Sequence, residues 1–193
     1  MDLIVLALIT FVASTVNGAL GYGFSSITVP VALLFYTNRI LNPALVLVEL
    51  VINGYVLFIN RKSIRNIWWR VAPILIGLVI GVAIGSYILS LVHPAWVKFV
   101  TYIMLLPLIL LQAAGIRKPI QAERAIAIPF GASIGTLYAV TTISGPPLAV
   151  LFNNQGYAKQ DFRAALGVIR VAEGVFTGIA YYVIGLYSYE SMA

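Results

Sequence analysis

Helix-length apolar runs, separated by short basic segments, dominate this chain of 193 residues. Hydrophobic residues make up 61% of the sequence and charged residues 9%, with a mean hydropathy of +0.99. Soluble domains carry about 25% charged residues, so this composition predicts an integral membrane protein. Most runs do not alternate polar and apolar residues, which excludes a transmembrane β-barrel. The sequence therefore predicts an all-α, multi-pass protein of the cell (cytoplasmic) membrane.

Cysteine is absent from the sequence, which excludes disulfides, thiol catalysis and thiolate metal sites. We expect no metal and no cofactor. The net charge of +6 comes from basic residues in short segments between apolar runs. That distribution follows the positive-inside rule, so we expect the lipid bilayer as a partner and no nucleic acid. The first apolar run lacks a basic leader, and we expect it to stay as a membrane helix rather than a cleaved signal peptide.

Two interruptions of the apolar sequence stand out, SSITVPVALLF at residues 25–35 and TTISGPPLAVLF at residues 141–152. Each has small hydroxyl residues, then one or two prolines, then an apolar run ending in Leu-Phe. At membrane depth such a break frees backbone N–H and C=O groups that no water can bond. It is tolerated only where protein packs around it or where it lines a cavity. The two breaks are therefore the first candidates for a functional site.

An internal repeat relates the two halves of the chain. Sliding the sequence along itself superposes Gly18 on Gly135 and Pro30 on Pro147, in register with matching leucine and phenylalanine positions. The first repeat continues through two further helices, whose counterparts would lie beyond residue 193. We therefore expect either that this sequence is a fragment or that a second chain, as in a homodimer, supplies the missing packing surface.

Each repeat begins with two short apolar arms around a break, which we interpret as a re-entrant helical hairpin rather than one long broken helix. The expected organisation is a first repeat at 1–114 (broken hairpin 3–36; helices 44–60, 71–91 and 96–114), a cytoplasmic loop at 115–124 and a partial second repeat at 125–193 (broken hairpin 125–154; helix 164–187). Glycines four residues apart on one helix predict a close contact with a neighbouring helix: Gly77, Gly81 and Gly85.

Re-entrant hairpins place three basic segments on one side of the membrane. These segments are 61–70, 115–124 and 155–163, and together they hold most of the lysines and arginines. Counting each pair of arms as a single crossing would send the third segment to the other side. The positive-inside rule favours the hairpins and a cytoplasmic location for all three segments. An odd number of crossings then inverts the second repeat, an arrangement typical of secondary transporters.

The breaks predict an anion site, because helix N-termini present free N–H groups and the positive end of the helix dipole. Glycine lets a ligand approach the backbone, hydroxyls donate hydrogen bonds, and Pro-Pro fits the start of a helix. The alternative is local: the hydroxyls bond helix carbonyls and the prolines are kinks. The candidate substrate-binding residues in the breaks are Gly21, Gly23, Ser25, Ser26, Thr141, Thr142, Ser144, Gly145, Pro146 and Pro147.

Three charged residues lie inside apolar helices, where a charge is costly and indicates function. Arg170 is a further substrate-binding candidate, since it could neutralise a bound anion. Its alternatives are an ion pair with Glu173 three residues on, or a side chain that reaches the interface. Glu49 and Glu173 are candidates for carrying a coupling proton; alternatively, each pairs with an arginine for assembly only.

The two broken segments resemble those of a known family. A glycine-rich GALGYGFSSITVP near the N-terminus, followed by TTISGPPLAVL, is similar to the sulfite exporter TauE/SafE family of membrane transporters. The resemblance covers the whole chain. It implies a seven- or eight-helix transporter that moves a small anion such as sulfite, an organosulfonate or a related carboxylate, with its site at the two breaks. The substrate within that class is left open.

We therefore interpret the chain as a secondary transporter that works by alternating access around the breaks, with a proton or cation as the coupling ion. A passive anion channel or a non-transporting membrane scaffold is the alternative. An intramembrane enzyme is disfavoured, because Ser144 has no histidine or lysine base at a recognisable spacing.

Overall fold

The computed structural model describes residues 2–113 and 123–187. Within them the backbone forms helices joined by short turns, with no strand, as the sequence predicts. Most of the expected 115–124 loop lies outside the described residues, as do residues 188–193. The helices are α1 Asp2–Leu20, α2 Phe24–Ala32, α3 Asn38–Asn60, α4 Ile64–Leu91, α5 Pro94–Ala113, α6 Glu123–Thr141, α7 Gly145–Asn154 and α8 Lys159–Val183, with a 3₁₀ turn at Arg61–Ser63 between α3 and α4.

Two stretches of the described chain are long and apolar enough to cross a membrane: Asn38–Leu91, which comprises α3 and α4, and Lys159–Val183, which is α8. Shorter apolar helices cover Ala7–Leu20 and Ala125–Thr141. Many large apolar side chains point outward, with Phe11 of α1 73% exposed. Outward-facing apolar side chains of this kind fit contact with lipid.

Three helices begin earlier than the hydropathy pattern predicts. α3 starts at Asn38 rather than 44, α4 at Ile64 rather than 71, and α8 at Lys159 rather than 164. Hydropathy marks the part of a helix that suits hydrocarbon, whereas the helical backbone continues into the headgroup region. The 28 residues of α4 extend about 42 Å, which exceeds a hydrocarbon core of about 30 Å. The basic segments expected as loops at 61–70 and 155–163 are therefore mostly helical.

The start of α3 caps the end of α4. Arg39, in the first turn of α3, donates to the carbonyl oxygens of Leu89, Ser90 and Val92 at 3.2, 2.7 and 3.1 Å. Carbonyls at the C-terminal end of a helix lack intrahelical partners, and a cation there also interacts favourably with the negative end of the helix dipole. The contact shows that α3 and α4 run in opposite directions.

α8 also packs antiparallel to α3. A Cβ on Gly167 would lie 3.1 Å from Cα of Leu57, and one on Gly174 would lie 3.2 Å from Cδ1 of Leu50. α3 therefore ends where α4 and α8 begin. We call this the basic end of the molecule, because its described cations are Arg61, Lys62, Arg65, Arg70, Lys159 and Arg163.

The predicted glycine ridge of α4 packs against α6, which confirms its role in a close helix contact. A Cβ on Gly77 would lie 1.9 Å from the carbonyl oxygen of Ile128, and one on Gly81 would lie 2.0 Å from that of Ala132. α6 contributes a glycine of its own, Gly131, to the same interface. Residue numbers rise together along both helices, so they are parallel and α6 also begins at the basic end.

The helices around each break reverse direction inside the fold. α1 ends beside α8, where Arg163 donates to the carbonyl of Ala19, and α2 then leads away towards the start of α3. α7 begins beside the middle of α8, where Gly145 lies against Arg170. It ends shortly before α8 starts, so it leads back to the basic end.

Apolar side chains pack around these helices in separate buried clusters. One cluster joins α4, α6, α7 and α8 through residues that include Ile74, Leu78, Ile134, Phe152 and Leu166. Another joins α1, α2 and α3 through residues that include Ala13, Phe24, Val29 and Leu45. These contacts hold both broken segments against α3 and α8, the helices that carry the buried charges.

Candidate functional site

Six buried polar side chains form what we call the polar centre, and each is at most 1% exposed. Polar groups are buried at low cost only where they are hydrogen-bonded or paired, so their partners define the site. α2 supplies Ser25, α3 supplies Glu49, α6 supplies Tyr138, the turn before α7 supplies Ser144, and α8 supplies Arg170 and Glu173.

Arg170 forms an ion pair with Glu49, with 2.8 Å between Nη2 and Oε1. Ser25 donates its hydroxyl proton to the same oxygen, and Arg170 Nη2 lies 3.3 Å from Ser25 Oγ. Tyr138 donates to Oε2 of Glu49 at 2.9 Å, so both carboxylate oxygens are occupied. The alternative pairing of Arg170 with Glu173 is therefore wrong. An outward-reaching side chain is also wrong, because the guanidinium is buried.

The carboxylate of Glu173 accepts fewer hydrogen bonds than that of Glu49 on α3. Its Oε2 accepts the hydroxyl proton of Ser144 at 2.6 Å, while its Oε1 has no hydrogen-bond partner among the described residues. Nε of Arg170 is likewise buried without a partner in the described part of the chain. With both carboxylates ionised, the single guanidinium would leave a net charge of −1 in the centre, and one bound proton would make it neutral. Nε of Arg170 is therefore a donor, and Oε1 of Glu173 an acceptor, that the described residues leave unused.

The two breaks present different numbers of free N–H groups. In α2 the first helical hydrogen bond runs from Ile27 N–H to the carbonyl of Gly23 at 3.2 Å, so the N–H groups before it point out of the helix end. In α7 the first runs from Leu148 to Ser144 at 3.2 Å, and two prolines without N–H precede it. Gly145 alone supplies a free N–H there. The start of α2 is the stronger anion-binding helix end.

Arg170 brings the two helix starts together. A Cβ on Gly145 would lie 3.0 Å from Nη1 of Arg170 and 3.2 Å from Cβ of Tyr22, so glycine lets the guanidinium approach α7. Nη2 of the same guanidinium reaches Ser25 at the start of α2. The positive ends of two helix dipoles and one cation therefore share a buried space, which favours negative charge there.

The threonines of the second break bond the local backbone. Thr141 donates to the carbonyl of Leu137 at 2.7 Å, and Thr142 donates to the carbonyl of Thr141 at 2.6 Å. Their hydroxyl protons are used within the turn, as the local alternative proposes. Thr142 has a φ of 57°, a left-handed conformation that costs a non-glycine residue energy and recurs at functional sites.

The glycines of the first break lie on the side of the polar centre that faces the basic end. A Cβ on Gly21 would lie 3.3 Å from Cγ of Arg163, and one on Gly23 would lie 3.4 Å from Cγ1 of Val16. Their φ angles of 89° and 111° are left-handed, which glycine tolerates. These residues shape the turn that aims the start of α2.

The remaining predicted residues flank the centre. Ser26 is half-buried beside Ser25, Pro146 is buried, and Pro147 lines an apolar groove beside α5 and α6. Neither proline has an N–H to offer a ligand, and both positions suit the first turn of a helix. The prolines therefore set the direction of α7 rather than contact an anion through the backbone.

Side chains of neighbouring helices cap the end of α6, which the break leaves open. Asn42 donates to the carbonyl of Val140 at 2.7 Å, and Tyr181 donates to the carbonyl of Ala139. These carbonyls have no partner in their own helix. Asn42, Tyr181 and Tyr138 are absent from the candidates derived from sequence, although a polar group in an apolar helix is a signal that marks each of them.

The polar centre combines one cation, two carboxylates, hydroxyl donors and two helix starts in a buried space. Such a set can bind a small oxyanion and a proton. Among the described residues, no group of three or more histidines, aspartates and glutamates is placed to hold a metal ion.

Comparison with known proteins agrees with this chemistry. No curated protein and no solved structure gives a significant match to the chain. The family model described as Sulfite exporter TauE/SafE matches residues 6–193, nearly the whole chain, and confirms the resemblance of the two broken segments. That family consists of membrane transporters that export an anion, which agrees with the apolar helices and the buried cation. The protein therefore belongs to the sulfite exporter TauE/SafE family.

Proposed function

We propose that this protein is a secondary transporter that exports a small anion, sulfite or an organosulfonate, across the cytoplasmic membrane by alternating access at the polar centre. The observation that carries the proposal is the position of Arg170, a buried guanidinium between the starts of α2 and α7. A cation at converging helix N-termini suits an oxyanion. Family membership supplies the substrate class.

Glu49 occupies the place of the anion in the described state. It accepts hydrogen bonds from Arg170, Ser25 and Tyr138, which are donors that a substrate oxygen would need. An arriving anion competes with Glu49 for Arg170 and uses the free N–H groups at the start of α2. Because Glu49 and Arg170 lie on different helices, this exchange loosens the contact between α3 and α8. A ligand shifts a conformational equilibrium only through such a difference in contacts.

Glu173 is the stronger of the two candidates for the coupling proton. Its Oε1 has no partner among the described residues, whereas both oxygens of Glu49 are occupied. A proton on Glu173 also removes the negative charge that would repel an anion from Arg170. The hydrogen bond of Ser144 depends on the protonation state of Glu173, because the Ser144 hydroxyl donates to that carboxylate in the described state. We therefore assign proton coupling to Glu173 and the counter-ion role to Glu49.

The directions of the broken helices support an inverted repeat. α2 leads from its break towards the end opposite the basic end, and α7 leads from its break back to the basic end. Two broken segments that point their starts at one buried charge from opposite sides are typical of alternating-access transporters. The basic end then faces the cytoplasm by the positive-inside rule.

Flux of radiolabelled sulfite in everted membrane vesicles tests the proposal. We expect saturable flux that Arg170→Leu and Ser144→Leu abolish. Arg65→Gln is the matched control, because it removes an exposed cation of α4 outside the polar centre. Equal amounts of protein in the membrane must be verified by immunoblot.

Each outcome separates the candidate roles. Flux that rises linearly with concentration would indicate a passive channel and contradict alternating access. Flux that survives both substitutions would contradict the site assignment. Flux that loses its dependence on a pH gradient in Glu173→Gln but keeps it in Glu49→Gln would support the coupling assignment, and the reverse would contradict it.

A further inference from the structure

A polar cavity of about 420 Å³ lies at the basic end, away from the polar centre. It is formed by the end of α3, the 3₁₀ turn that follows, and the start of α8. Three cations line it, and no acidic side chain of the described residues does. Its polar lining is Asn60, Lys62, Ser63, Lys159, Gln160 and Arg163. A concave surface with one sign of charge concentrates small ions of the opposite sign.

Arg163 connects this cavity to the first break. Its Nη2 donates to the carbonyl of Ala19 at the end of α1, and its Cγ lies 3.3 Å from the Cβ position of Gly21. Arg163 therefore lines the cavity and also contacts the turn that aims α2. An anion that draws Arg163 into the cavity would release the carbonyl of Ala19.

Arg163 and Arg170 lie on the same face of α8. They are seven residues apart, which is two helical turns and about 10 Å along the axis. Lys62 and Lys159, which line the cavity, are exposed; Arg163 is half-buried, and Arg170 is buried. From the basic end to the polar centre, these cations are thus progressively more buried.

We infer that the cavity is an entrance site for a small oxyanion of the sulfite or sulfonate class, which it captures and passes along α8 to Arg170. This inference rests on the proposed transport function but concerns a separate set of residues. Lys62 and Lys159 attract the anion, and Arg163 couples its arrival to the first break. A phosphate of an anionic lipid headgroup shares this chemistry, so the test must separate the two sources.

Equilibrium dialysis of radiolabelled sulfite against purified protein in phosphatidylcholine nanodiscs tests the inference. We expect a tight site and a weaker, salt-sensitive site. The weaker site should lose about fivefold in affinity for each lysine removed, as in Lys62→Gln and Lys159→Gln. It should disappear at about 1 M salt, where the Debye length is about 3 Å. Arg61→Gln and Arg65→Gln remove equal charge outside the cavity and should leave both sites unchanged.

A second variant separates this inference from the proposed function. The paired substitution Glu49→Leu with Arg170→Leu leaves no unpaired charge of that ion pair, and we expect it to lose the tight site while keeping the weaker one. A tight site that survives would contradict the proposed function alone. A weaker site that survives in Lys62→Gln with Lys159→Gln, or is equally weakened in the two controls, would overturn the entrance site.

Nanodiscs that contain phosphatidylglycerol distinguish the lipid source. We expect sulfite to bind the weaker site with similar affinity in both lipids once surface charge is screened by equal salt. Loss of that site only in phosphatidylglycerol would assign the cavity to a lipid headgroup and overturn the entrance role. Thermal unfolding of each variant shows whether the fold is retained.

Discussion

Arg170 is a buried cation whose partner, Glu49, lies on a helix 121 residues earlier in the chain. Each charge is tolerated inside the protein because the other neutralises it and because Ser25 and Tyr138 complete the hydrogen bonds. Removing one member leaves the charge of the other unpaired in a low-dielectric site. Removing both leaves neither charge of the pair without its partner.

This asymmetry gives a prediction for the ion pair. Arg170→Leu should lower the free energy of unfolding by about 3–5 kcal/mol, because Glu49 is left buried and unpaired. The double variant Glu49→Leu with Arg170→Leu should recover most of that loss. Denaturant titration in detergent measures both. A double variant less stable than either single variant would show that the pair does more than compensate charge, and would contradict the prediction.

Tyr138 provides a second prediction at this scale. Tyr138→Phe removes the hydrogen bond to Oε2 of Glu49 and should destabilise the protein by about 1.5–3 kcal/mol, the usual range for a bond to a charged group. Tyr102→Phe is the matched control, since its hydroxyl bonds the neutral carbonyl of Pro30 at 2.7 Å, and it should cost about 0.5–1.5 kcal/mol. Equal losses in the two variants would contradict the prediction.

At the scale of elements, the contact between α4 and α6 depends on glycine because the two backbones touch. Gly81→Ala would place a Cβ 2.0 Å from the carbonyl oxygen of Ala132, which cannot move without shifting α6. We expect a loss of about 1–3 kcal/mol or more. Gly54→Ala in α3 meets no atom within 4 Å and should be neutral or stabilising by about 0.5–1 kcal/mol. Thermal unfolding in detergent compares the two.

A similar change in stability in both glycine variants would show that close backbone contact does not distinguish Gly81 from Gly54, and would contradict the prediction. The break after α6 illustrates the opposite situation at the same scale. There the backbone is held by side chains from other helices, through Asn42 and Tyr181, and not by the local sequence. An element interrupted inside a membrane protein keeps its form only through such neighbours.

For the whole molecule, the natural absence of cysteine makes topology directly testable. Thr37 is exposed between α2 and α3, and Ala158 is exposed just before α8. In the proposed inverted arrangement, Thr37→Cys reacts with an impermeant maleimide from outside the cell and Ala158→Cys reacts only from the cytoplasm. Labelling of intact and everted vesicles measures the sidedness. Labelling of both residues from one side would contradict the inverted hairpins.

The helical membrane class, the two breaks, the glycine ridge and the presence of Arg170 inside an apolar helix can all be predicted from the sequence alone. Each follows from local composition and spacing, which set where a helix suits lipid and where it cannot continue. The pairing of Arg170 with Glu49 rather than Glu173, and the bonding of the Thr141 and Thr142 hydroxyls to the backbone, emerge only from the packing of the helices. The physical reason is that a buried polar group takes the partner that helix packing brings to it, and residues distant in the chain supply that partner.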